Sequence, residues 1–174
     1  MAKILFVQLS PFELNCFQSL SAYLKYNGHQ TFIFSLAFEN YNKLLKLISE
    51  KQPDLIGFTV TSSDYINTLT LADELKKDIN RNIHFIFGGP HAIIAPMDLI
   101  QSSSVDSVCV CEGEHILTEL ANTIDNNSDI TGISGLWSKK KSRLIKNSAR
   151  PFIKDIGTLP IDDHDIYYSR YESL

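Results

Sequence analysis

Cysteine is scarce in this sequence of 174 residues, and both long apolar runs and an excess of basic residues are missing. Three cysteines are too few, and odd in number, for a disulfide framework, and they suit a reducing cytoplasm. No apolar run reaches the ~18 to 20 residues of a membrane-spanning helix. A net charge of -4 argues against a general nucleic-acid binder. We therefore expect a cytoplasmic domain that contacts neither membrane nor nucleic acid.

Familiar phosphate-binding motifs are missing as well. The sequence contains no GxxxxGK(S/T), which excludes a P-loop for nucleoside triphosphates. No GxGxxG follows the first apolar run, which argues against a dinucleotide site of the usual kind. Residues 9–15 also lack the clustered acidic side chains that a phosphoryl-accepting receiver domain needs.

What the sequence does contain is a regular alternation of apolar runs and amphipathic segments. The apolar runs predict five strands, at residues 3–8, 30–34, 54–60, 83–87 and 107–111. Helical spacing of apolar residues between them predicts parallel βαβ units. We predict an α/β fold of the flavodoxin-like or Rossmann-like type, a doubly wound five-stranded parallel sheet in the order 2-1-3-4-5. In this order, the ligand crevice lies at the carboxyl ends of strands one, three and four.

The character of the chain changes after the last predicted helix. Residues 130–147 predict a small β-hairpin with a basic turn. The following segment contains Pro151 and Pro160 and is typical of a linker or docking tail rather than a core element. We therefore predict a ligand-binding domain over residues 1–128, followed by a hairpin and linker over residues 129–174.

Hydroxyl side chains follow the third predicted strand. Thr59 and Thr61 are two positions apart, so both hydroxyls point to one face of an extended strand end, and Ser62 extends this polar patch. Such a row can hydrogen-bond a polar ring or a phosphate in the crevice. The alternative is structural, because threonine suits strand ends and the following Ser-Ser-Asp can cap a helix.

The fourth predicted strand ends in "GGPHA". Gly88 and Gly89 lack Cβ atoms, so the strand can end in an open slot that admits a flat group. Pro90 has no N–H, which disfavours a phosphate cradle built from backbone amides. The pattern favours a flat ligand with polar edges, and the alternative is a purely structural tight turn.

Several of these segments together resemble a known family. The segments "ILFVQ", "YNGHQT", "PDLIGFTVTSSDY", "FGGPHA" and "CEGEH", in this order, resemble the cobalamin-binding domain of cobalamin-dependent radical SAM proteins. The later "DIGTLPIDD" resembles the segment that joins this domain to the radical SAM barrel, so the resemblance covers about residues 3–163.

The resemblance implies that cobalamin inserts its dimethylbenzimidazole tail into the sheet crevice. Thr59, Thr61, Gly88 and Gly89 would then contact the tail, with Ser62 beside them. His91 would stand at the rim of the slot, unless it is a turn histidine bonded to the backbone.

Two departures from related patterns modify this expectation. Methionine-synthase-like domains place a cobalt-ligating histidine in a DxHxxG motif after strand one, whereas this chain has Glu13 or a neighbour there. Because carboxylate is a poor substitute for imidazole on cobalt, we expect base-off, His-off cobalamin with an open or water-bound lower face. The chain also lacks the CxxxCxxC motif that holds a [4Fe–4S] cluster. Cluster and S-adenosylmethionine would belong to a partner radical SAM domain, so this chain alone would not be catalytic.

Glu112 and Glu114 begin the last predicted helix, where they favour the helix dipole. Two roles remain open for these carboxylates, Glu112 and Glu114: helix capping, and polar contact with the corrin amides. Cys109 and Cys111 share a strand face and are interpreted as small core residues.

Two other functions of the domain also stay open. It could be a flavodoxin-like domain that binds a flavin or another small ligand, or a degenerate docking domain that binds nothing.

Overall fold

The structure, a computed structural model, describes residues 1–141 and 143–171. Within these residues, seven strands form one sheet in the order β2-β1-β3-β4-β5-β6-β7. The strands are β1 (Lys3–Gln8), β2 (Gln30–Ser35), β3 (Leu55–Thr59), β4 (His84–Gly88), β5 (Ser107–Cys109), β6 (Leu136–Lys140) and β7 (Arg143–Lys146). The helices are α1 (Asn15–Tyr26), α2 (Tyr41–Lys51), α3 (Tyr65–Asp78), α4 (Pro90–Ile94), α5 (Pro96–Ile100), α6 (Gly113–Asp125) and α7 (Asp165–Tyr168).

Strands β1 to β5 are parallel and adopt the predicted order, which confirms the doubly wound fold. The chain moves outward from β1 to β2 on one side and from β1 to β3 on the other. This change of direction leaves a crevice at the carboxyl ends of the central strands. No helix in the described part of the chain is long and apolar enough to cross a membrane.

The predicted hairpin is present and extends the same sheet. Strand β6 pairs antiparallel with β5, with Trp137 opposite Val108, and β7 pairs antiparallel with β6. The hairpin therefore covers the edge of β5, which would otherwise expose unpaired backbone groups.

The segment after the hairpin differs from its prediction. Ile166, Tyr167 and Tyr171 are buried in the same apolar cluster as residues of β1 and α1. The interpretation of this segment as a linker outside the core is therefore wrong for these three side chains, whereas Ile156 and Ile161 are exposed as expected of a linker.

The two faces of the sheet are covered by different helices. Helices α2 to α5 cover one face, which we call the packed face, and α1, α6 and α7 cover the other, which we call the open face. Because side chains alternate along a strand, each central strand contributes to both. On β4, for example, Phe85 and Phe87 lie on the packed face and Ile86 lies on the open face.

Candidate functional site

A cavity of about 290 Å³ lies on the open face, near the carboxyl ends of the central strands. The sheet forms its floor, and the first turns of α1 and α6 form its walls. The floor residues are Phe6, Gly57, Thr59, Ile86, Gly88 and Cys109. The cavity thus coincides with the crevice that the strand order predicts.

Small residues on neighbouring strands account for the empty space. Gly57 pairs with Ile86 and Thr59 pairs with Gly88, so both glycines lie in the floor. A Cβ atom placed on Gly88 would have Cys109 Cβ, 3.9 Å away, as its nearest neighbour, so this position faces open space. A Cβ atom on Gly57 would lie 3.1 Å from the Phe6 ring, so glycine is needed for Phe6 to pack there.

Gly89 holds the end of β4 against Thr59. Its φ angle is +92°, a conformation that L side chains rarely adopt. A Cβ atom at this position would lie 2.5 Å from Thr59 Oγ1 and 2.9 Å from the Val60 nitrogen. Glycine therefore allows the chain to turn directly into α4 while the Thr59 hydroxyl remains at the cavity.

The walls come together because another glycine lies between them. Cys16, Phe17 and Leu20 of α1 face the cavity from one side. Gly113 opens α6 on the other side, and a Cβ atom there would lie 2.9 Å from Leu20 Cδ2. Its absence allows the two helices to approach each other at their amino-terminal ends.

Glu114 lies at the cavity, where its Oε1 accepts a hydrogen bond of 3.0 Å from the Ser19 hydroxyl. This bond joins α6 to α1 across the cavity wall. The side chain of Glu112, the N-cap residue of α6, makes no capping hydrogen bond and instead accepts one from the Ile153 N–H. The expected capping role is therefore wrong for Glu112.

The lining is mostly apolar, and its polar groups are the Thr59 hydroxyl, the carboxylates of Glu112 and Glu114, and cysteine thiols. Burial raises the pKa of the Cys109 thiol to about 12, so it stays protonated at neutral pH and donates to the Cys111 carbonyl. Among the residues that the structure describes, no three His, Cys, Asp or Glu side chains are grouped to hold a metal ion. The cavity can bind a flat apolar group, with the Thr59 hydroxyl as a polar contact.

Not all of the predicted site residues meet at this cavity. Thr59, Gly88, Gly89 and Glu114 line it. The predicted positions Thr61, Ser62, His91 and Glu13 lie outside its lining.

His91 and its partners form a separate cluster beside α3. The His91 ring is 5% exposed and stacks on Tyr65 with a centroid distance of 4.1 Å. Its Nδ1 is hydrogen-bonded to the Ser62 hydroxyl at 3.0 Å, and the Thr61 hydroxyl is bonded to Ser63 at 2.8 Å. His91 therefore does not lie at the rim of the cavity, because its ring is buried against Tyr65.

Glu13 belongs to the β1–α1 loop, residues 9–14, at the carboxyl end of β1. Its Oε2 accepts a hydrogen bond of 2.8 Å from Gln18 Nε2. The loop contains no histidine. The loop therefore supplies no imidazole ligand at the mouth of the crevice, and the Glu13 carboxylate is bonded to Gln18.

Sequence reasoning missed several lining residues. Gly57 carries a readable signal, because a single glycine inside the apolar strand "LIGFT" indicates close approach of another group. Cys16, Phe17 and Leu20 have no such signal, since their role depends on which face of the sheet α1 covers.

A comparison with protein families decides the assignment. The family model of the B12 binding domain matches residues 15–121, more than half of the chain. The chain belongs to the B12-binding domain family. The matched region starts in α1 and ends in α6, the two helices that form the walls of the cavity.

Relatives of this B12-binding domain are longer proteins. An uncharacterized methyltransferase of Pyrococcus horikoshii is 29% identical over 127 residues, which are 72% of this chain and 28% of that protein. The cobalamin-dependent S-adenosylmethionine radical enzyme OxsB, solved with aqua-cobalamin and S-adenosylmethionine, superposes with a TM-score of 0.81 at 19% identity, over 95% of this chain and 24% of OxsB.

A second solved structure is the radical S-adenosylmethionine methyltransferase TsrM from Kitasatospora setae. It superposes with a TM-score of 0.78 at 20% identity, over 98% of this chain and 37% of TsrM. These superpositions show a shared fold. Together with the family match, they confirm the predicted resemblance to the cobalamin-binding domain of cobalamin-dependent radical SAM proteins.

Proposed function

We propose that this B12-binding domain holds cobalamin for a radical SAM partner domain, with the dimethylbenzimidazole tail in the cavity of the open face. The observation behind this proposal is the floor of the cavity, where Gly88 leaves bare backbone at the end of β4 next to Thr59 of β3. A flat ring can lie against such a floor. Residues 1–128 hold the cofactor in this proposal, and residues 129–174 lead toward the partner.

The size and lining of the cavity suit the tail of the cofactor. Its volume of about 290 Å³ is near the lower end of the ~300 to 1,000 Å³ range of small-molecule pockets, enough for a bicyclic ring but not for the corrin. Phe17, Leu20 and Leu117 supply apolar walls that exclude water from the ring. Thr59 offers a hydroxyl that can donate a hydrogen bond to a ring nitrogen.

The β1–α1 loop supports a base-off, His-off state. It contains no imidazole, and its single carboxylate, that of Glu13, is already engaged by Gln18. With the tail in the cavity, no residue of this loop would serve as a cobalt ligand. When bound, the cofactor supplies a cobalt centre suited to methyl transfer or radical chemistry.

The chain itself binds and orients in this proposal and does not catalyse. Its three cysteines lack the spacing of a [4Fe–4S] ligand set, so cluster and S-adenosylmethionine belong to the partner. The names of the similar proteins, a methyltransferase and radical S-adenosylmethionine enzymes, support methyl transfer or radical chemistry as the reaction of the whole protein.

Retention of hydroxocobalamin by the purified chain tests the proposal. After gel filtration we expect one cobalamin per chain, with the visible spectrum of the base-off form. Flavin mononucleotide, run in parallel, tests the flavodoxin-like alternative and is expected to elute separately. Retention of the flavin alone would contradict the proposal in favour of that alternative, and retention of neither would favour a degenerate docking domain.

A further inference from the structure

The C-terminal segment, residues 163–171, is attached to the elements that surround the mouth of the crevice. The Asp163 carboxylate accepts a hydrogen bond from Ser21 and pairs with Lys25 at 2.5 Å, which fixes the segment to α1. The Tyr171 hydroxyl accepts a hydrogen bond of 2.8 Å from the Ser35 N–H at the end of β2. The segment thus lies along α1 toward the end of β2.

Tyr167 reaches from this segment into the β1–α1 loop. Its side chain is fully buried, and its hydroxyl donates to Gln8 Oε1 at 2.6 Å. The Tyr167 hydroxyl oxygen also accepts a hydrogen bond of 3.0 Å from the Leu14 N–H. Leu14 is the N-cap residue of α1 and has no polar side chain to cap the helix, so the tyrosine provides a tertiary contact at this helix start.

Gln8 continues this network through the loop. Its Nε2 donates to the Ser10 carbonyl at 2.8 Å and to the Phe12 carbonyl at 2.9 Å. The Gln8 side chain is 2% exposed, so these bonds are shielded from water. The two ends of the loop are therefore joined through the buried pair Gln8 and Tyr167. The Ser35 hydroxyl, at the end of β2, also donates to the Ser10 carbonyl at 2.8 Å.

Burial raises the pKa of the Tyr167 hydroxyl above its ordinary value. The hydroxyl therefore stays protonated at neutral pH and keeps its role as a donor to Gln8. Phenylalanine in its place would leave both Gln8 Oε1 and the Leu14 N–H without this partner.

We infer that Tyr167 is a positioning residue for cobalamin: it holds the β1–α1 loop in the conformation that receives the corrin, so that affinity depends on the C-terminal segment. The inference rests on the proposed function. The loop leads directly into Cys16 and Phe17 of the cavity wall, so a shift of the loop also moves the slot. A loop without a cobalt ligand contributes through its shape, and Tyr167 stabilises that shape.

The test compares three tyrosine-to-phenylalanine variants of the full chain by visible titration with hydroxocobalamin. Tyr167→Phe should weaken affinity about tenfold, because a buried donor and acceptor lose their partner. Tyr171→Phe is the matched control, since its hydroxyl also accepts from a backbone N–H, at Ser35, and donates to a side chain, Glu39, but is not bonded to the β1–α1 loop. It should lower the unfolding midpoint similarly but change affinity less than about twofold. Tyr168→Phe, at a side chain that is 46% exposed, should change neither.

Amide hydrogen exchange gives a second readout that does not use the cofactor. In Tyr167→Phe the Leu14 amide should exchange faster, whereas Tyr171→Phe should leave it unchanged. Equal affinity losses in Tyr167→Phe and Tyr171→Phe, or no loss in either, would overturn the inference while leaving the proposed function intact. If the unmodified chain bound no cobalamin, both would be overturned.

Discussion

The packed face and the open face are built from alternate residues of the same strands, yet they differ in what fills them. On the packed face, Phe58 of β3 stacks on Phe87 of β4 with a centroid distance of 4.7 Å. One position away on each strand, Gly57 lies under the Phe6 ring, whereas Gly88 faces the open cavity. Phe6 and Phe17 also stack on the open face, with a centroid distance of 4.6 Å, but no ring covers Gly88, and this leaves room for a ligand there.

Because of this difference, some residues of a strand contribute mainly to the stability of the fold and their neighbours mainly to ligand binding. A buried phenylalanine contributes roughly 1.5 to 3 kcal/mol relative to an exposed one, a contribution that a glycine forgoes. Neighbouring positions on one strand should therefore respond in opposite ways to substitution: residues of the packed face through unfolding, and residues of the open face through cobalamin affinity.

The largest expected effect is on the packed face. Phe87→Ala should lower the free energy of unfolding by about 3 to 5 kcal/mol, because it leaves a cavity among packed rings. The affinity of the folded protein for cobalamin should change little. Urea unfolding measures the first quantity, and Phe152→Ala, at a side chain that is 76% exposed, is the control with little effect. A mild effect of Phe87→Ala would mean that the packed face is not the stabilising one.

The converse change fills the open face. Gly88→Leu should weaken cobalamin binding about 100-fold or more, equivalent to about 2.7 kcal/mol, because the side chain enters the slot. The thermal midpoint should change little, since a Cβ atom meets no neighbour closer than 3.9 Å. Gly132→Leu is the matched control, because nothing lies within 4 Å of a Cβ atom there and the residue is not part of the cavity. Unchanged binding in Gly88→Leu would place the tail elsewhere.

The stability of the protein should depend on pH through His84, which lies on the open face at the start of β4, away from the cavity. There the His84 ring is bonded to the Ser107 hydroxyl at 2.8 Å, and burial lowers the pKa of His84 to about 4. Between pH 6.5 and 4 the unfolded chain binds a proton that the folded chain does not, so stability falls as pH falls. The loss between pH 6.5 and 5 should be at most about 2 kcal/mol.

Urea midpoints at pH 7 and pH 5 measure this loss. His84→Gln retains a polar side chain but does not titrate, so its midpoint should vary less with pH than that of the unmodified chain. The charges of Asp106 and Lys76 act on the pKa of His84, and burial lowers the pKa of His29; since His29 is present in both proteins, it contributes equally to both pH profiles. Equal pH dependence in the two proteins would contradict the assignment to His84.

The smallest effect concerns cysteine reactivity. Cys16 is exposed at the cavity wall, whereas Cys109 is buried in the floor. Bound cobalamin should slow alkylation of Cys16 by iodoacetamide severalfold, and Cys109 should remain unlabelled with or without the cofactor. Mass spectrometry of the labelled peptides gives both rates. Alkylation of Cys16 at the same rate in both states would place the cofactor away from α1.

The fold was predictable from the sequence because five apolar runs alternate with amphipathic segments, and such a pattern leaves few topologies. The floor of the site was only half predictable. The double glycine of "GGPHA" is a strong local signal, whereas Gly57 is a single glycine within an apolar strand. The walls depend on which helices cover which face, and this is decided by the tertiary path of the chain.

Two differences from the sequence predictions have physical causes that local pattern does not reveal. His91 was expected either at the rim or as a turn histidine, and it is buried because its ring stacks on Tyr65 of a different element. The C-terminal segment was interpreted as a linker because α7 is too short for a visible period, and the three buried side chains of the segment, Ile166, Tyr167 and Tyr171, are too few to show one. In both cases the side chains are buried by residues that are distant in the sequence.

The central claim is that the open face holds the nucleotide tail of cobalamin. Cobinamide, which has the corrin but lacks that tail, tests it most directly by parallel titration with cobalamin. The unmodified chain should bind cobalamin at least about tenfold more tightly than cobinamide, a difference of about 1.4 kcal/mol, and Gly88→Leu should abolish that preference. Equal affinity of the unmodified chain for the two compounds would contradict the claim.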